Sequence, residues 1–403
     1  MVTVKEAENI ILSQANDYGS EAVLLKFCIG RVLAENILAD RDMPPYNRVT
    51  MDGIAIQHHS IANGIKAYKI KGTQAAGEDP INTSHENECI EIMTGAALPE
   101  SVDTVIRYED LHIENNIATL TADLRTITKG QNIHYKGKDK KQNDVVANAN
   151  KLITPATINA AATVGKSTLL VKKLPRAVII STGDELVNIE DTPFPYQIRS
   201  SNSATIQASL QQYCIQSDTL HIADDIQQTK AELERCLSEY DVIILSGGIS
   251  MGKFDYVPAA LEELSVKKLF HKVLQRPGKP FWFGKHGHGA LVFAFPGNPI
   301  SSFMCLHRYF IPWLQASSGL RAEVKYAILN DDLTFTPALQ YFVQVKLNIN
   351  NKGELLATPV EGNGSGDLAN LVDTDAFMEL PLEQTNFNKG EVFRIWPFKN
   401  IFA

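Results

Sequence analysis

The most constraining feature of this 403-residue sequence is a regular alternation of strand-like and helix-like segments between residues 175 and 319. Four short apolar runs, RAVIIS, DTLHI, DVIILS and ALVFAF, are each followed by glycine or acidic residues. The stretches between them, IQASLQQYCI, QTKAELERCLSEY and ISSFMCLHRYFIPWL, space their apolar residues as helices do. This alternation predicts a doubly wound α/β domain over 175–319 with a parallel sheet.

Three further regions flank this domain, so we expect an α/β multidomain fold. Helical patterns at the amino terminus, over 20–33 and after Thr154 predict a helical linker domain formed by 1–45 and 140–174. The short alternating segments AYKIKG, CIEIMTG, DTVIRYED and IATLTA predict an inserted β domain over 46–139. The strand patterns YFVQVKLNI, GELLATPV and EVFRIWPF predict a small β barrel or sandwich over 320–403. Of these two folds, we expect a C-terminal β-barrel domain.

Composition excludes several classes of protein. A formal net charge of −8 argues against non-specific nucleic-acid binding, which needs a basic surface. No apolar run approaches the roughly 18 residues that indicate a membrane helix, and the amino terminus carries acids where a signal peptide would be apolar. The five scattered cysteines include no CxxC pair and indicate neither a zinc site nor a disulfide framework. We therefore expect a cytoplasmic protein with no nucleic-acid or membrane partner.

The loops that follow the four apolar runs contain the chemistry. In an open parallel sheet, ligands bind at the carboxyl ends of the strands. Gly247, Gly248 and Gly297 occur there, and the absence of a Cβ lets their backbone N–H groups approach an anion closely. A helix beginning after Pro299 would direct its positive end to the same anion. These loops predict a phosphate site.

Charged side chains in the same region suit a metal and an oxyanion. Glu185, Asp224 and Asp255 supply the hard oxygen ligands that Mg²⁺ prefers. Arg276 and Lys279 supply cations that neutralise phosphate or an oxyanion. Taken singly, such residues are more often tight turns, helix caps or solvated side chains. Four loops of this kind on one edge of a sheet favour a site.

Six motifs follow one another along the chain and span most of it: MDGIA at 51–55, MTGA at 93–96, STGDEL at 181–186, SGGISMGKFDY at 246–256, RPGKPFWFG at 276–284 and FPGNPISS at 295–302. In this order and at these separations, they resemble the molybdopterin molybdenumtransferase family, whose eukaryotic relatives include the carboxyl-terminal domain of gephyrin. The resemblance implies four domains and an elongated homodimer in which the β domain of one subunit faces the α/β domain of the other.

The resemblance also implies an activity. Members of the family accept adenylylated molybdopterin and molybdate, insert the metal at the dithiolene sulfurs and release AMP in a Mg²⁺-dependent step. A transient contact with a molybdopterin adenylyltransferase is a further expected partner interaction. From periodicity alone, Asp52 and Gly53 form an ordinary turn and Thr94 a strand end; the resemblance instead implies that Asp52 and Thr94 belong to an active site shared by two subunits.

By motif match, the resemblance implies that Asp52, Glu185, Asp224 and Asp255 are the catalytic acids around the metal ion and the reacting pyrophosphate. Of these, Glu185, Asp224 and Asp255 are the expected metal ligands. The expected substrate-binding residues are Thr94, Asp139, Gly247, Gly248, Ser250, Arg276, Lys279, Pro296, Gly297, Asn298, Pro299, Ser301 and Ser365.

The chain departs from the family pattern at three places. Many relatives have an arginine-rich run ending in GED where this chain has HYKGKD at 134–139. Asp139 is retained in register, but lysine lacks the bidentate fork of arginine. Lys253 stands where the family has an acid, and Ile54 where it has tyrosine. We expect these departures to alter ligand contacts without abolishing activity.

Three alternative functions remain open from the sequence. A molybdopterin adenylyltransferase has a similar α/β domain, but it would leave MDGIA and MTGA unexplained. A gephyrin-like scaffold would need a linker and a partner domain, for which the sequence gives no sign. A binding module that has lost catalysis is the third alternative, and the retained acids argue against it.

Overall fold

The computed structural model describes residues 1–249, 256–321, 323–360, 362 and 368–399. The chain forms two compact units. The first consists of Met1–Ala34, Asn150–Thr154 and Leu169–Ala403, and the second of Glu35–Ala149 and Pro155–Thr168. The finer four-domain boundaries stay a prediction.

A mixed six-stranded sheet forms the centre of the second unit. Its strands are β1 (Gly53–Ile56), β2 (Ala67–Gln74), β3 (Glu88–Ile92), β4 (Thr104–Arg107), β5 (Leu111–Glu114) and β6 (Ile117–Leu120). Their order is β4–β1–β3–β2–β6–β5, in which β2 and β3 are parallel and the other neighbours antiparallel. One turn of helix, α2 (His59–Ala62), follows β1. The inserted β domain is thus confirmed.

Short antiparallel pairs complete the second unit. Ile37–Leu38 pairs with Val145–Ala147, and Arg48–Val49 pairs with Ile133–His134. The second of these pairs holds the segment before β1 next to the start of HYKGKD, residues 134–139.

Two of the three predicted linker helices are confirmed. Helix α1 (Val4–Leu12) begins with a capping box between Thr3 and Glu6, which satisfies backbone donors at its start. Helix α3 (Pro155–Thr163) is the predicted alanine-rich helix.

The predicted helix over 20–33 is wrong. A strand, Ser20–Leu24, pairs there with Thr168–Lys172 and is followed by a single 3₁₀ turn, Leu25–Phe27. The side chains of Leu24 and Phe27 are 51% and 64% exposed, so a helix here would lack the buried apolar face that stabilises short helices.

The α/β domain contains a second six-stranded sheet. Its strands are β7 (Ala177–Thr182), β8 (Ser217–Ile222), β9 (Val242–Ser246), β10 (Lys267–His271), β11 (Trp282–Lys285) and β12 (Leu291–Phe295). The order is β8–β7–β9–β12–β11–β10, and the first four strands, which carry the apolar runs, are parallel. Strand β11 runs antiparallel to both of its neighbours, β12 and the edge strand β10, so the sheet is mixed and not purely parallel.

Helices cover both faces of this sheet: α4 (Ser201–Gln211), α5 (Ile226–Glu239), α6 (Val257–Glu263), α7 (Pro299–Cys305) and α8 (Ile311–Ser317), with a π-helical segment (Leu306–Phe310) between the last two. Successive residues of a strand point to opposite faces. Accordingly, Ile179 lies in a core with α1, α4 and α7, whereas Val178 and Ile180 lie in a core with α5 and α6. Burial on both faces explains why the strands are almost continuously apolar.

A closed five-stranded barrel forms the carboxyl-terminal region and confirms that prediction. Its strands are β13 (Lys325–Leu329), β14 (Gln340–Ile349), β15 (Leu355–Pro359), β16 (Ala376–Leu380) and β17 (Val392–Pro397). The ring runs β14–β15–β13–β17–β16 and closes by pairing of β16 with β14. A short helix, α9 (Leu368–Asp373), precedes β16.

The strand Gln275–Arg276 of the α/β domain adds to β14 in parallel, which joins the barrel to the α/β domain within the first unit. Other two-residue pairs are Leu186–Val187 with Ile198–Arg199 and Leu333–Thr334 with Asn386–Phe387. Among the described residues, no helix has the length and apolar character needed to cross a bilayer.

Candidate functional site

The loops after three of the four parallel strands line one cleft at the carboxyl edge of the sheet. The cleft has a volume of about 210 Å³. Thr182, Ser246, Gly247, Gly248 and Gly297 line it, together with the start of α4. The loops after β7, β9 and β12 therefore meet, as the alternation of strands and helices predicts.

Asn202 ties the loops of the cleft together. Its side-chain amide donates to the hydroxyl of Ser246 at 2.8 Å and to the carbonyl of Gly297 at 2.8 Å. It thereby joins the start of α4 to the ends of β9 and β12. Sequence reasoning missed Asn202, because its role depends on three segments that are distant in the chain.

Glycine is required where the loops approach each other. Gly247 has φ +100° and Gly248 φ +67°, backbone conformations that favour glycine. A Cβ on Gly297 would lie 3.4 Å from the Cα of Gly247, so the two loops are in close contact. Beneath this turn, the hydroxyl of Thr182 is buried without a hydrogen-bond partner in the part of the chain that the structure describes.

Of the acidic residues in these loops, Glu185 lines the cleft. The carboxylate of Glu185 folds back over Gly183, whose added Cβ would lie 2.3 Å from a Glu185 oxygen. Asp184 accepts from the backbone N–H of Asp224 at 3.0 Å, and the N–H of Asp184 faces the Asp224 carboxylate at 3.5 Å. The structure thus brings Asp224 next to Asp184, an acid that sequence reasoning passed over in favour of Glu185.

The described residues contain no group of three or more histidine, cysteine, aspartate or glutamate side chains that could together hold a metal ion. The oxygen ligands available near the cleft nevertheless suit Mg²⁺, which uses one or two carboxylates and completes its shell with water and phosphate oxygens.

Arg276 and Lys279 lie in a second pocket, of about 350 Å³, between the α/β domain and the barrel. The segment RPGKP forms one wall, and Tyr341 and Gln344 of β14 form another. The guanidinium of Arg276 lies 5.8 Å from the ring centroid of Phe335, which itself stacks on Tyr341. The pocket thus contains two cations and several neutral donors. Tyr341 and Gln344 escaped sequence reasoning because only tertiary folding brings the barrel to this loop.

The start of α7 separates the two pockets. Asn298 caps the helix by accepting from the backbone N–H of Ser301, and Pro299 occupies its first turn. Pro299 and Gly297 face the glycine-lined cleft, whereas Ile300 and Ser301 line the pocket of Arg276 and Lys279. Pro296 connects β12 to this turn. The residues predicted from FPGNPISS therefore divide between two adjacent cavities.

Asp52 and Thr94 are brought together in the second unit. The backbone N–H of Thr94 donates to the Asp52 carboxylate at 2.6 Å. The pairing of Gly53 with Ile92 in β1 and β3 causes this contact, since it sets the end of one motif beside the start of the other. The hydrogen bonds from Thr94 hold the pKa of Asp52 below its usual value, so the exposed carboxylate stays ionised at neutral pH.

Asp139 also lies in the second unit. Its carboxylate contacts Nε2 of His134 at 2.8 Å, and Nδ1 of that ring lies 3.4 Å from the guanidinium of Arg48. Asp139 and Arg48 line a cavity of about 420 Å³. His134 is thus a direct partner of Asp139. The predicted residues Ser250, Asp255 and Ser365, and the departure at Lys253, lie outside the described residues.

The α/β domain and both flanking regions match known families. Residues 178–316 match the family described as the probable molybdopterin binding domain. Residues 2–165 match the MoeA N-terminal region, domains I and II, and residues 326–398 match the MoeA C-terminal region, domain IV. Together these matches cover most of the chain and define its class as that of the MoeA proteins.

Individual relatives are similar over nearly the whole chain. The molybdopterin molybdenumtransferase of Synechocystis is 39% identical over 395 residues, covering 98% of this chain and 99% of the relative. The enzyme of the same name from Bacillus subtilis is 28% identical, covering 98% and 93%. The crystal structure of the molybdopterin biosynthesis MoeA protein from Pyrococcus horikoshii has a TM-score of 0.84 at 26% identity, covering 99% and 100%.

The chain belongs to the molybdopterin molybdenumtransferase family. It is an enzyme, a transferase with a role in molybdenum cofactor biosynthesis.

Proposed function

We propose that this chain inserts molybdate into adenylylated molybdopterin, with release of AMP and dependence on Mg²⁺. The observation that carries the proposal is the pair of adjacent cavities on either side of the start of α7. The glycine-lined cleft suits the diphosphate of the pterin substrate, and the pocket of Arg276 and Lys279 suits a small oxyanion. Insertion requires both anions to be bound side by side.

The cleft supplies what phosphoanhydride cleavage needs. The turn at Gly247 and Gly248 presents backbone without side chains. The N–H of Gly247 donates to the Phe295 carbonyl at 3.1 Å and fixes the turn, so that the N–H of Gly248 can approach the phosphate oxygens. The start of α7 adds the partial positive charge of a helix N-terminus, and Asn202 keeps the loops in place. Donors fixed in this way stabilise developing negative charge without reorganising during the reaction.

Glu185 and Asp224 would hold Mg²⁺ at the edge of the cleft, and we assign Asp255 to the same role from its motif. The ion would supply charge neutralisation for the diphosphate and the leaving AMP. The protein's own part is to keep these carboxylates in reach of the phosphates. Asp184, which contacts Asp224, joins this acidic edge.

Molybdate would bind at Arg276 and Lys279. Arginine offers a fork of donors that matches two oxygens of an oxyanion, and lysine adds a compact charge. Ser301 and Gln344 line the same pocket and supply neutral donors. We assign Ser365, from its motif, to the same substrate-binding set.

We further propose a homodimer in which Asp52, Thr94 and Asp139 of one subunit complete the site of the other. The carboxylate of Asp52 is exposed and ionised, and the hydrogen bond from Thr94 holds it in place. A fixed, exposed charge of this kind suits a group that acts in the active site of the partner subunit. The five free thiols suit a cytoplasmic location. There, a transient contact with a molybdopterin adenylyltransferase would supply the adenylylated substrate.

The decisive assay supplies the purified protein with adenylylated molybdopterin, molybdate and Mg²⁺, and follows AMP together with bound molybdenum. We expect both products. If the protein instead turns over only ATP and free molybdopterin, and forms adenylylated molybdopterin from them, it is an adenylyltransferase. Tight binding without turnover would indicate a non-catalytic module.

A mixing experiment tests the shared site. The Asp52→Ala and Asp224→Ala variants should each be inactive. Mixed and allowed to exchange subunits, they should regain activity, because some dimers then contain one intact site. No recovery in demonstrably mixed dimers would contradict the shared site.

A further inference from the structure

The loop that carries Arg276 and Lys279 rests on a buried amide side chain. Gln275 is completely buried at the floor of the pocket. Its Nε2 donates to the carbonyl of Gly278 at 3.0 Å, across the loop. Its Oε1 accepts from the hydroxyl of Tyr309, which is also buried. One amide thus connects the turn between the two cations to the helical layer beneath.

The direction of these hydrogen bonds is fixed. Burial raises the pKa of Tyr309 well above its usual value, so the hydroxyl keeps its proton and donates. Gln275 must then present its oxygen to Tyr309 and its NH₂ group to Gly278. The flipped amide would face the Gly278 carbonyl with its own oxygen, and neither group could donate. The pair therefore holds one conformation of the loop.

The loop fits closely on this support. Gly278 has φ +85°, and an added Cβ would lie 2.7 Å from the sulfur of Cys305 and 2.8 Å from Nε2 of Gln275. The ends of the loop are fixed by the backbone, since Val273 donates to the Lys279 carbonyl at 2.9 Å. The tip between these ends is the part that Gln275 holds.

Tyr309 is itself held from below. It belongs to the π-helical segment, a local widening that often occurs at functional sites. The buried guanidinium of Arg308 lies 5.0 Å from the Tyr309 ring and pairs with Glu8 of α1 and Glu379 of the barrel. A buried polar chain therefore runs from α1 and the barrel, through Tyr309 and Gln275, to the loop.

We propose that Tyr309 and Gln275 are positioning residues, which set the separation of Arg276 and Lys279 for a tetrahedral oxyanion without touching it. The inference rests on the proposed function, in which molybdate is that oxyanion. A buried amide fixed at both ends suits this task, because removal of one partner leaves the other unpaired in an apolar environment. The loop would then lose its preferred conformation, and the spacing of Arg276 and Lys279 would no longer be fixed.

The test uses Tyr309→Phe, which removes only the hydroxyl, and measures equilibrium binding of molybdate by calorimetry. We expect roughly a threefold to tenfold weaker affinity, because a buried hydrogen bond is lost and its partner stays unpaired. The molybdate KM of insertion should rise by the same factor, while kcat at saturating molybdate changes little. Hydrogen exchange of the segment 276–280 should become faster.

Tyr240→Phe is the matched control, since it removes a tyrosine hydroxyl bonded to Asp218 elsewhere in the α/β domain. It should leave molybdate affinity and exchange of the loop unchanged. If Tyr309→Phe does not fold, Gln275→Met, which keeps the volume and removes both hydrogen bonds, replaces it with the same expected results.

Wild-type affinity and exchange in the folded variant would overturn the positioning role and leave the proposed function intact. A wild-type protein that binds no molybdate would overturn the assignment of the pocket, and with it the inference. The two failures are therefore distinguishable.

Discussion

Gly247→Ala tests whether the glycine turn of the cleft is required for function beyond its backbone conformation. Gly247 has φ +100°, and Gly289, in the turn between β11 and β12, has φ +105°. An added Cβ at Gly289 would meet nothing within 4 Å, whereas at Gly247 it would lie 3.1 Å from both oxygens of Thr182. Gly289→Ala is therefore a control with the same backbone strain and no crowding.

The two variants should lose similar stability. A non-glycine residue at positive φ costs about 1–3 kcal/mol, and this cost is common to both. The crowding at Gly247 requires its neighbours to move by only a few tenths of an ångström, so it adds about 1 kcal/mol, the low end of the cost of overpacking. The turn of Gly247 lines the cleft, however, so its displacement misplaces donors. A misplacement that costs about 1.4 kcal/mol in the transition state lowers the rate tenfold.

The assay compares thermal unfolding and molybdenum insertion for both variants. We expect Gly289→Ala to lower the melting temperature and keep wild-type insertion. Gly247→Ala should lower the melting temperature by a similar amount and reduce insertion at least tenfold. Equal activities at equal stability would refute the assignment of this turn to substrate binding.

Three further variants have defined outcomes. Asp52→Asn keeps an oxygen that accepts from Thr94 but removes the charge, so insertion should be lost at an unchanged melting temperature; retained insertion would exclude a role for the carboxylate charge. Thr182→Val removes a buried hydroxyl without a described partner, a group that costs about 1–3 kcal/mol to bury unpaired. Urea unfolding should therefore show stability that is unchanged or higher, and a clear loss would reveal a hidden partner. Burial lowers the pKa of His307 to about 3, so the folded protein resists a proton that the unfolded chain accepts below pH 6.5. Stability should fall by about 1.4 kcal/mol per pH unit below 6.5 from this group, and His307→Leu should show a shallower pH dependence; parallel curves would contradict the assigned cause.

The sequence predicts the strand-end loops well, because they depend on local patterns. The apolar runs ending at Thr182, Ser246 and Phe295 are uninterrupted, and each is followed by a glycine within two residues. Parallel connection through helices then brings these ends to one edge, whatever the remainder of the fold. The loops of the cleft therefore follow from periodicity alone.

Contacts between distant segments could not be predicted in the same way. The division of the site into two cavities depends on the barrel strand that brings Gln344 to the loop of Arg276. The contact of Asp52 with Thr94 depends on the register of β1 against β3, which no local pattern encodes. The resemblance supplied both residues as parts of a site, and the structure supplies their hydrogen bond. The failed helix over 20–33 has the same cause, since a partner strand decided its conformation.

Molybdate-dependent insertion can be tested by the stoichiometry of a single turnover. Excess protein is mixed with adenylylated molybdopterin and Mg²⁺, with and without molybdate, and AMP and pterin-bound molybdenum are quantified in each sample. We expect equal amounts of AMP and inserted molybdenum, and little AMP when molybdate is omitted. Equally fast AMP release without molybdate, or molybdenum-free pterin at the end of the reaction, would contradict it.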